Sequence, residues 1–134
     1  MDDIFVARLM STDLETVGPD TLVEDAARQM QTNRIGSLVV VDADNQLVGI
    51  LTTTDFVDIV ARSKPKAETT VERYMTTDVV TTTAQTPIQT AADTMLEHSI
   101  HHLPVVDEEE GVIGMLSTTD LAAYLSTVQT PSPA

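Results

Sequence analysis

The apolar residues of this chain follow a helical spacing in some segments and form short continuous runs in others. Two segments carry apolar residues three and four positions apart, which is the pattern of an amphipathic helix. They contain Val23, Ala26, Ala27 and Met30, and Ile88, Ala91, Ala92 and Met95. A threonine comes just before each segment. Thr21 and Thr86 are therefore predicted N-caps, the first with Glu24 three residues later.

Short β-branched runs follow each of these predicted helices. The runs SLVVVD and HLPVVD predict buried strands, and QLVGIL and GVIGML come after a polar turn, which predicts two hairpins. The helix after each hairpin is predicted to carry its apolar residues on one face, Phe56, Ile59 and Val60 in one helix and Leu121, Tyr124 and Leu125 in the other. With a short strand over 14–17 and another over 79–82, each half is predicted to have the order β-α-β-β-α.

The two halves are copies of one unit. Residues 49–56 read GILTTTDF, residues 114–121 read GMLSTTDL, and a shift of 65 residues aligns these octets without a gap. The match extends from VARLMSTD and VERYMTTD through the helices and strands. The sequence predicts one repeat over 4–62, a second over 71–127, a polar linker over 63–70 and a frayed tail over 128–134.

The composition narrows the class of protein. The 134 residues are 42% apolar and carry a net charge of −14, from 21 acidic and 7 basic side chains. No apolar run approaches the roughly 18 residues of a membrane span, and the negative field disfavours nucleic acid and anionic lipid as partners. The absence of cysteine excludes thiol chemistry and is compatible with a cytoplasmic protein. The acidic, lysine-poor surface favours a halophilic source over an ordinary acidic bacterial protein.

The chemistry of the octets has two interpretations. Hydroxyls and an aspartate at the start of a helix are good capping residues. The same groups also suit a ligand, because hydroxyls and the helix N-terminus can hold an anion while a carboxylate accepts hydrogen bonds from a ribose diol. For one octet alone, capping is the favoured interpretation. Two copies at matched positions weaken that preference, although a structural repeat also duplicates its caps. Both roles can coexist.

The duplicated pattern resembles the CBS (cystathionine-β-synthase-type) domain, and the pair resembles a Bateman module. The resemblance rests on VARLMSTDLETV and VERYMTTDVVTT, on IGSLVVVDADNQLVGILTTTDF, and on IHHLPVVDEEEGVIGMLSTTDL. It implies an α+β (mixed α/β) fold in which two tandem β-α-β-β-α units pack through their sheets with pseudo-twofold symmetry. It also implies clefts that hold adenosine-containing ligands, a homodimer formed through helices, and a regulatory role without catalysis.

The resemblance also implies two sets of ligand-binding residues, here named the first and the second half-site. The aspartates match the ribose-binding position, the hydroxyls lie near ribose and phosphate, the early strand reads the adenine edge, and the segment before the central strand lines the base pocket. The first half-site comprises Thr16, Val17, Ile35, Ser37, Thr52, Thr54 and Asp55. The second comprises Thr81, Thr82, Ile100, His101, His102, Ser117, Thr119 and Asp120.

Positive charge is scarce around both half-sites. The candidates to pair with phosphate are His101, His102, Arg8, Arg73 and Arg34, and histidine is only partly charged near neutral pH. Phosphate binding is therefore expected to be modest, dependent on pH, or assisted by Mg²⁺ or K⁺. The alternative role of the two histidines is a solvated loop or a dimer contact. For Arg8 and Arg73 the alternative to a ligand contact is a structural salt bridge.

Catalysis is not expected. The sequence has no G-x-S-x-G elbow, Walker-A loop or G-x-G-x-x-G run. His98 and His102 have the spacing of a zinc pair on a helix, but Ile100 to Leu103 are expected to leave the helix for a strand, which would break that geometry. The methionines and alanines of the first helices are assigned to an interface.

Two classes of function remain from the sequence. One is a sensor of AMP, ADP or ATP, or of a ligand of the S-adenosylmethionine type, that signals to an effector protein in trans. The other is a dimerising interaction module with vestigial clefts. Because the second half-site has the histidine pair, Asp120→Ala is expected to weaken ligand binding more than Asp55→Ala.

Overall fold

A computed structural model describes residues 4–62 and 69–128 as a mixed α+β fold. The helices are α1 (Val6–Leu9), α2 (Val23–Asn33), α3 (Thr53–Arg62), α4 (Val71–Tyr74), α5 (Ile88–His98) and α6 (Thr118–Val128). The strands are β1 (Thr16–Val17), β2 (Ser37–Val41), β3 (Leu47–Thr52), β4 (His102–Asp107) and β5 (Gly111–Ser117). The predicted fold class is confirmed. Most of the predicted linker, 63–68, and the tail from 129 onwards lie outside the described residues.

The element order of each repeat differs from the prediction at two places. The predicted strand over 79–82 is reduced to a single parallel bridge between Thr82 and Val105, whereas β1 forms in the first repeat. The short helices α1 and α4 were not predicted. A signal for them exists, because V-x-x-L-M and V-x-x-Y-M place apolar residues at positions i, i+3 and i+4.

The chain divides into two compact units whose bounds differ from those of the sequence repeats. Within the described residues, the first-repeat unit lies between Glu15 and Val79 and includes Glu110–Val112, and the second-repeat unit contains residues 4–14, Val80–Glu109 and residues 113–128. Consequently α1, which is encoded in the first repeat, belongs to the second-repeat unit. In the same way α4, encoded in the second repeat, belongs to the first-repeat unit.

The first-repeat unit is built on a three-stranded sheet in the order β1-β2-β3. β1 runs parallel to β2, and β2 runs antiparallel to β3 from the Ser37–Thr52 pair to the Val40–Gly49 pair. The helix α4 docks beside this sheet, where the Val71 N–H donates to the Thr21 carbonyl at 2.8 Å. Its core consists of Val17, Ala26, Met30, Leu38, Val40, Leu51 and Val71.

The second-repeat unit repeats this arrangement around β4 and β5, which pair with each other. Here α1 takes the place of α4, and the Val6 N–H donates to the Thr86 carbonyl at 2.9 Å. The Val6 side chain is completely buried, and the segment after α1 continues as a bridge between Ser11 and Met115. The core consists of Val6, Ala84, Ala91, Met95, Leu103, Val105 and Leu116.

The glycine that opens each octet lies where a docked segment passes closest to the sheet. A Cβ added to Gly114 would lie 2.7 Å from the Met10 sulfur, and one added to Gly49 would lie 2.6 Å from the Met75 sulfur. Both distances are shorter than a real Cβ contact. The octet therefore begins with glycine because the methionine after α1 or α4 fills the space of a side chain.

The prediction that Thr21 and Thr86 cap the first helices is wrong. The N-caps are Leu22 and Pro87, and neither makes a side-chain capping bond. The reason is the docked segments, because the first helical N–H groups donate to backbone carbonyls instead. The Val23 N–H bonds the Thr69 carbonyl at 2.9 Å, and the Ile88 N–H bonds the Ile4 carbonyl at 2.7 Å. The side chain of Glu24, in the first turn of α2, lies 3.8 Å from Arg28.

Candidate functional site

The second octet forms a reciprocal cap at the start of α6. The Ser117 N–H donates to Oδ2 of Asp120 at 2.8 Å, and the Asp120 N–H donates back to the Ser117 hydroxyl at 3.1 Å. This is the capping box, with aspartate at its third helical position. The capping interpretation of the octet is confirmed, and the S-x-x-D spacing is the sequence signal for it.

The first octet uses its aspartate in a related but different way at the start of α3. The Thr52 N–H donates to Oδ2 of Asp55 at 2.7 Å, and the Thr52 hydroxyl donates to the same oxygen at 3.2 Å. Here the hydroxyl is a donor to the carboxylate, whereas the hydroxyl of Ser117 is an acceptor from the backbone. Both aspartates are only partly exposed, and in both octets the aspartate holds the backbone N–H of the strand end.

Each helix start is also tied to the segment before the central strand. The Thr53 N–H donates to the Gly36 carbonyl at 3.1 Å, and the Thr118 N–H donates to the His101 carbonyl at 3.0 Å. In each repeat, the first N–H of the helix, which the ligand interpretation left available for an anion, therefore already donates to a backbone carbonyl. The same contact brings this segment beside the octet, and Ser37 is buried directly opposite Thr52. The carbonyl partners were not foreseen, since only the turn of the backbone determines them.

The predicted adenine-reading segments lie beside β2 and β4. In the first repeat this segment is β1, which pairs with β2 on the side away from β3. Thr16 pairs with Val39, and Val17, which is buried, pairs with Val40. In the second repeat the Thr82 N–H donates to the Pro104 carbonyl, and its carbonyl accepts from Val106, each at 2.9 Å. The backbone groups of Thr82 are thus used by the sheet. Because alternate residues of an extended segment direct these groups to opposite sides, the backbone of Thr81 is directed away from β4.

Three of the predicted base-pocket residues line grooves between helices. A cavity of about 440 Å³ in the second-repeat unit is bordered by Ile100 and His101 together with Met95 and Leu121. The matching cavity of about 350 Å³ in the first-repeat unit has Ile35 in its wall. The structure therefore groups these residues with α2 and α3, or with α5 and α6. Their contact with an adenine base stays a prediction.

His102 is a candidate cation of the second half-site. It is the first residue of β4 and is partly exposed. Burial lowers the pKa of His102, the neighbouring His101 lowers it further, and Asp120 opposes both effects. His102 is therefore mostly neutral at pH 7. The equivalent position of the first half-site is Ser37, which has no charge at any pH.

The other candidate cations lie on the surface. Arg8, Arg34 and Arg73 are exposed. Within residues 4–62 and 69–128, Arg28 pairs with Glu24 and Asp25, and no ion pair is found for Arg8 or Arg73. The salt bridges considered for the arginines before the methionine turns are thus not seen there.

The histidine pair considered for zinc does not share a helix. α5 ends at His98, Ser99 takes a left-handed conformation with φ of 53°, and His102 begins β4. The predicted exit from the helix is confirmed. No cluster of three metal-binding side chains occurs in the described part of the chain. Likewise, none of the described helices is both long enough and apolar enough to cross a membrane.

Comparison with known proteins gives a consistent family. The family model described as "CBS domain" matches twice, over residues 6–62 and 71–127. A solved structure of the CBS domain pair of protein MJ0100, in complex with 5′-methylthioadenosine and S-adenosyl-L-methionine, is similar to this chain with a TM-score of 0.87. The two are 26% identical, and the similarity covers 96% of this chain and 100% of the other.

Two relatives in sequence show different contexts for the same module. A 17.7 kDa protein of Acidianus ambivalens, named as uncharacterized, is 37% identical over 93% of this chain and 75% of its own length. The homoserine O-acetyltransferase of Methanosphaerula palustris is 34% identical over 93% of this chain, but the match spans only 25% of that enzyme. The similarity to the enzyme is therefore confined to a part of it about the size of this chain.

Proposed function

The chain belongs to the CBS domain family, and from that premise we propose that it is a regulatory module that binds an adenosine-containing ligand, AMP, ADP or ATP, and signals to a partner protein in trans. The two half-sites are proposed to hold one ligand each. The observation that carries the proposal is the duplicated arrangement of an aspartate, hydroxyls and a buried strand at the start of α3 and of α6.

The aspartates can serve as caps and as ribose acceptors at the same time. In both octets the cap uses Oδ2, and within the described residues no group donates to Oδ1 of Asp55 or Asp120. A carboxylate oxygen accepts two hydrogen bonds, so Oδ1 can take those of a vicinal diol. The exposed hydroxyls of Thr54 and Thr119 lie one residue before each aspartate and suit a ribose or phosphate oxygen.

The nature of the 5′ group is limited by charge. The partly buried His102 is mostly neutral at pH 7, and the chain carries a net charge of −14. Both features weaken the binding of a polyphosphate more than that of a monophosphate, unless Mg²⁺ or K⁺ compensates the negative charge. A ligand without phosphate does not need this compensation. The bound ligands of the MJ0100 domain pair therefore support an S-adenosylmethionine-type ligand as the second candidate.

Isothermal titration with AMP, ADP, ATP and S-adenosylmethionine in concentrated KCl tests the proposal. The informative variants are Asp55→Asn and Asp120→Asn, because the remaining amide oxygen can still cap the helix while the amide nitrogen cannot accept from a diol. We expect each to lose affinity at its own half-site, Asp120→Asn more than Asp55→Asn, with little change in stability. No heat and no melting shift with any ligand at about 1 mM would contradict ligand sensing.

Signalling in trans is proposed to use a homodimer formed through the helices. The apolar side chains of Val57 and Val60 on α3, Leu96 on α5 and Leu125 on α6 are 69%, 75%, 78% and 51% exposed, so each of these helices leaves apolar area that a second copy could cover. Sedimentation should show a dimer for the wild type, and Val60→Glu should weaken the association of that dimer. Glu97→Gln, on the exposed surface of α5, is the control that changes charge without removing apolar area.

The interaction module with unused clefts is the alternative, and it predicts a different dependence on ligand. The longer homoserine O-acetyltransferase supports an enzyme as the kind of partner, since a module of this type forms part of that chain. Co-purification with and without nucleotide separates the two functions. A partner retained equally in both conditions favours the alternative, whereas retention that changes with nucleotide supports sensing.

A further inference from the structure

The starts of strands β3 and β5 meet at one residue, Asn45. Its side-chain amide donates to the carbonyls of Glu110 and Val112, each at 2.9 Å, and its own carbonyl accepts from the Val112 N–H at 3.1 Å. We call these contacts the Asn45 junction. All of its residues belong to the first-repeat unit.

The backbones at the Asn45 junction are in close contact. Asn45 itself has a left-handed backbone with φ of 64°, and Gly111 has φ of 81°. A Cβ on Gly111 would lie 2.0 Å from the Asn45 carbonyl oxygen, so the two backbones are in the closest contact that glycine permits. The turn that carries Asn45 is fixed in turn by Asp42, whose carboxylate accepts from the N–H groups of Asp44 and Gln46 at 2.9 Å.

Each strand that starts at the junction ends at a half-site. β3 runs from Leu47 to Thr52, the residue held by Asp55, and β5 runs from Gly111 to Ser117, the residue held by Asp120. β5 is one continuous strand between these two ends, with a rise of about 3.3 Å per residue, and it pairs with β4. A displacement of the Ser117 end of β5 would therefore act on Gly111, whose close contact with Asn45 connects β5 to the turn before β3.

We propose that Asn45 couples the two half-sites, so that a ligand held at Ser117 and Asp120 alters the turn that leads into the first half-site. This inference rests on the proposed function and adds a regulatory residue to it. Asn45 touches neither half-site and acts by positioning β5 against the β2–β3 turn. The coupling is reciprocal in binding free energy, as any linkage between two sites must be.

Hydrogen exchange with AMP tests the coupling in the full chain. The background is Asp55→Asn, which confines ligand binding to the second half-site, and the reporters are the amides of Asp44 to Gln46 and of Val112. We expect AMP to slow exchange of these amides by about fivefold or more, the lower end of typical coupling. Adding Asn45→Gly, which keeps the left-handed backbone and removes the amide, should abolish this effect while AMP still binds.

The controls separate coupling from stability. Asp44→Ala changes the same turn without touching the junction bonds and should retain the remote protection. Asn45→Asp, which places carboxylate oxygens against two carbonyls, is the second variant if Asn45→Gly does not fold. AMP binding at the second half-site without remote protection, or protection that survives both Asn45 variants, overturns this inference alone. No binding of AMP or of S-adenosylmethionine overturns the proposed function and the inference together.

Discussion

The capping box of α6 allows a quantitative test of what Asp120 contributes before any ligand binds. Asp120→Ala removes the acceptor of the Ser117 N–H, a 2.8 Å hydrogen bond to a charged group. Such bonds contribute about 1.5–3 kcal/mol, and a negative charge in the first turn of a helix contributes about 0.3–1 kcal/mol more. Since Asp120 is partly exposed, we expect the lower part of this range, a loss of about 2 kcal/mol in the free energy of unfolding.

The matched variant Asp120→Asn keeps an oxygen for the Ser117 N–H and loses only the charge. It should cost less than about 1 kcal/mol, the value of the helix-dipole contribution alone. Urea unfolding followed by circular dichroism measures both values, and the slope of the transition shows whether the unfolded state has changed. The reasoning is refuted if Asp120→Ala loses less than about 0.5 kcal/mol, or if Asn and Ala cost the same.

Substitutions of the hydroxyl residue in each octet test the difference between the two caps. Ser117→Ala removes the acceptor of the Asp120 N–H, and should cost about 1 kcal/mol, as N-cap substitutions do. Thr52→Val removes a hydroxyl that only donates to Asp55 and should cost less, because the bond of the Thr52 N–H to that carboxylate remains. Equal losses would show that the direction of the hydroxyl bond does not matter.

Three further predictions follow from packing and charge. Gly114→Ala should destabilise the chain by about 1–3 kcal/mol, because its Cβ would lie 2.7 Å from the Met10 sulfur and 3.1 Å from the backbone carbonyl oxygen of Ser11. Gly18→Ala, whose Cβ would meet only the end of the Asp20 side chain, should be nearly neutral in the same urea assay. Since burial lowers the pKa of His102 in the folded state, the unfolded chain binds the extra proton, and stability should fall as pH drops from about 7.5 to about 5.5. His102→Gln should flatten this dependence. Because the net charge is −14, the melting temperature should rise as KCl screens self-repulsion up to about 1 M, and a flat response would contradict the halophilic interpretation.

The local elements could largely be predicted because their signals lie within a few neighbouring residues. The apolar spacing of Val23, Ala26 and Met30 indicated a helix, and the three are buried on α2. The β-branched run after it became β2, whose first four residues are buried. The octet chemistry was also local, since the residues of each cap are only three positions apart.

The sequence by itself determined the duplication, the α+β class, the four longer helices α2, α3, α5 and α6, the hairpin strands β2 to β5, and the capping chemistry of the octets. Only the tertiary structure decided that Val6 fills the core of the second-repeat unit and Val71 that of the first-repeat unit. It also decided that backbone carbonyls, and not Thr21 or Thr86, receive the first N–H groups of α2 and α5. The physical reason is that a four-residue helix has too little local stability to specify its own place. The placement depends on contacts between residues far apart in the chain, which two repeats with the same order of elements offer in two alternative ways.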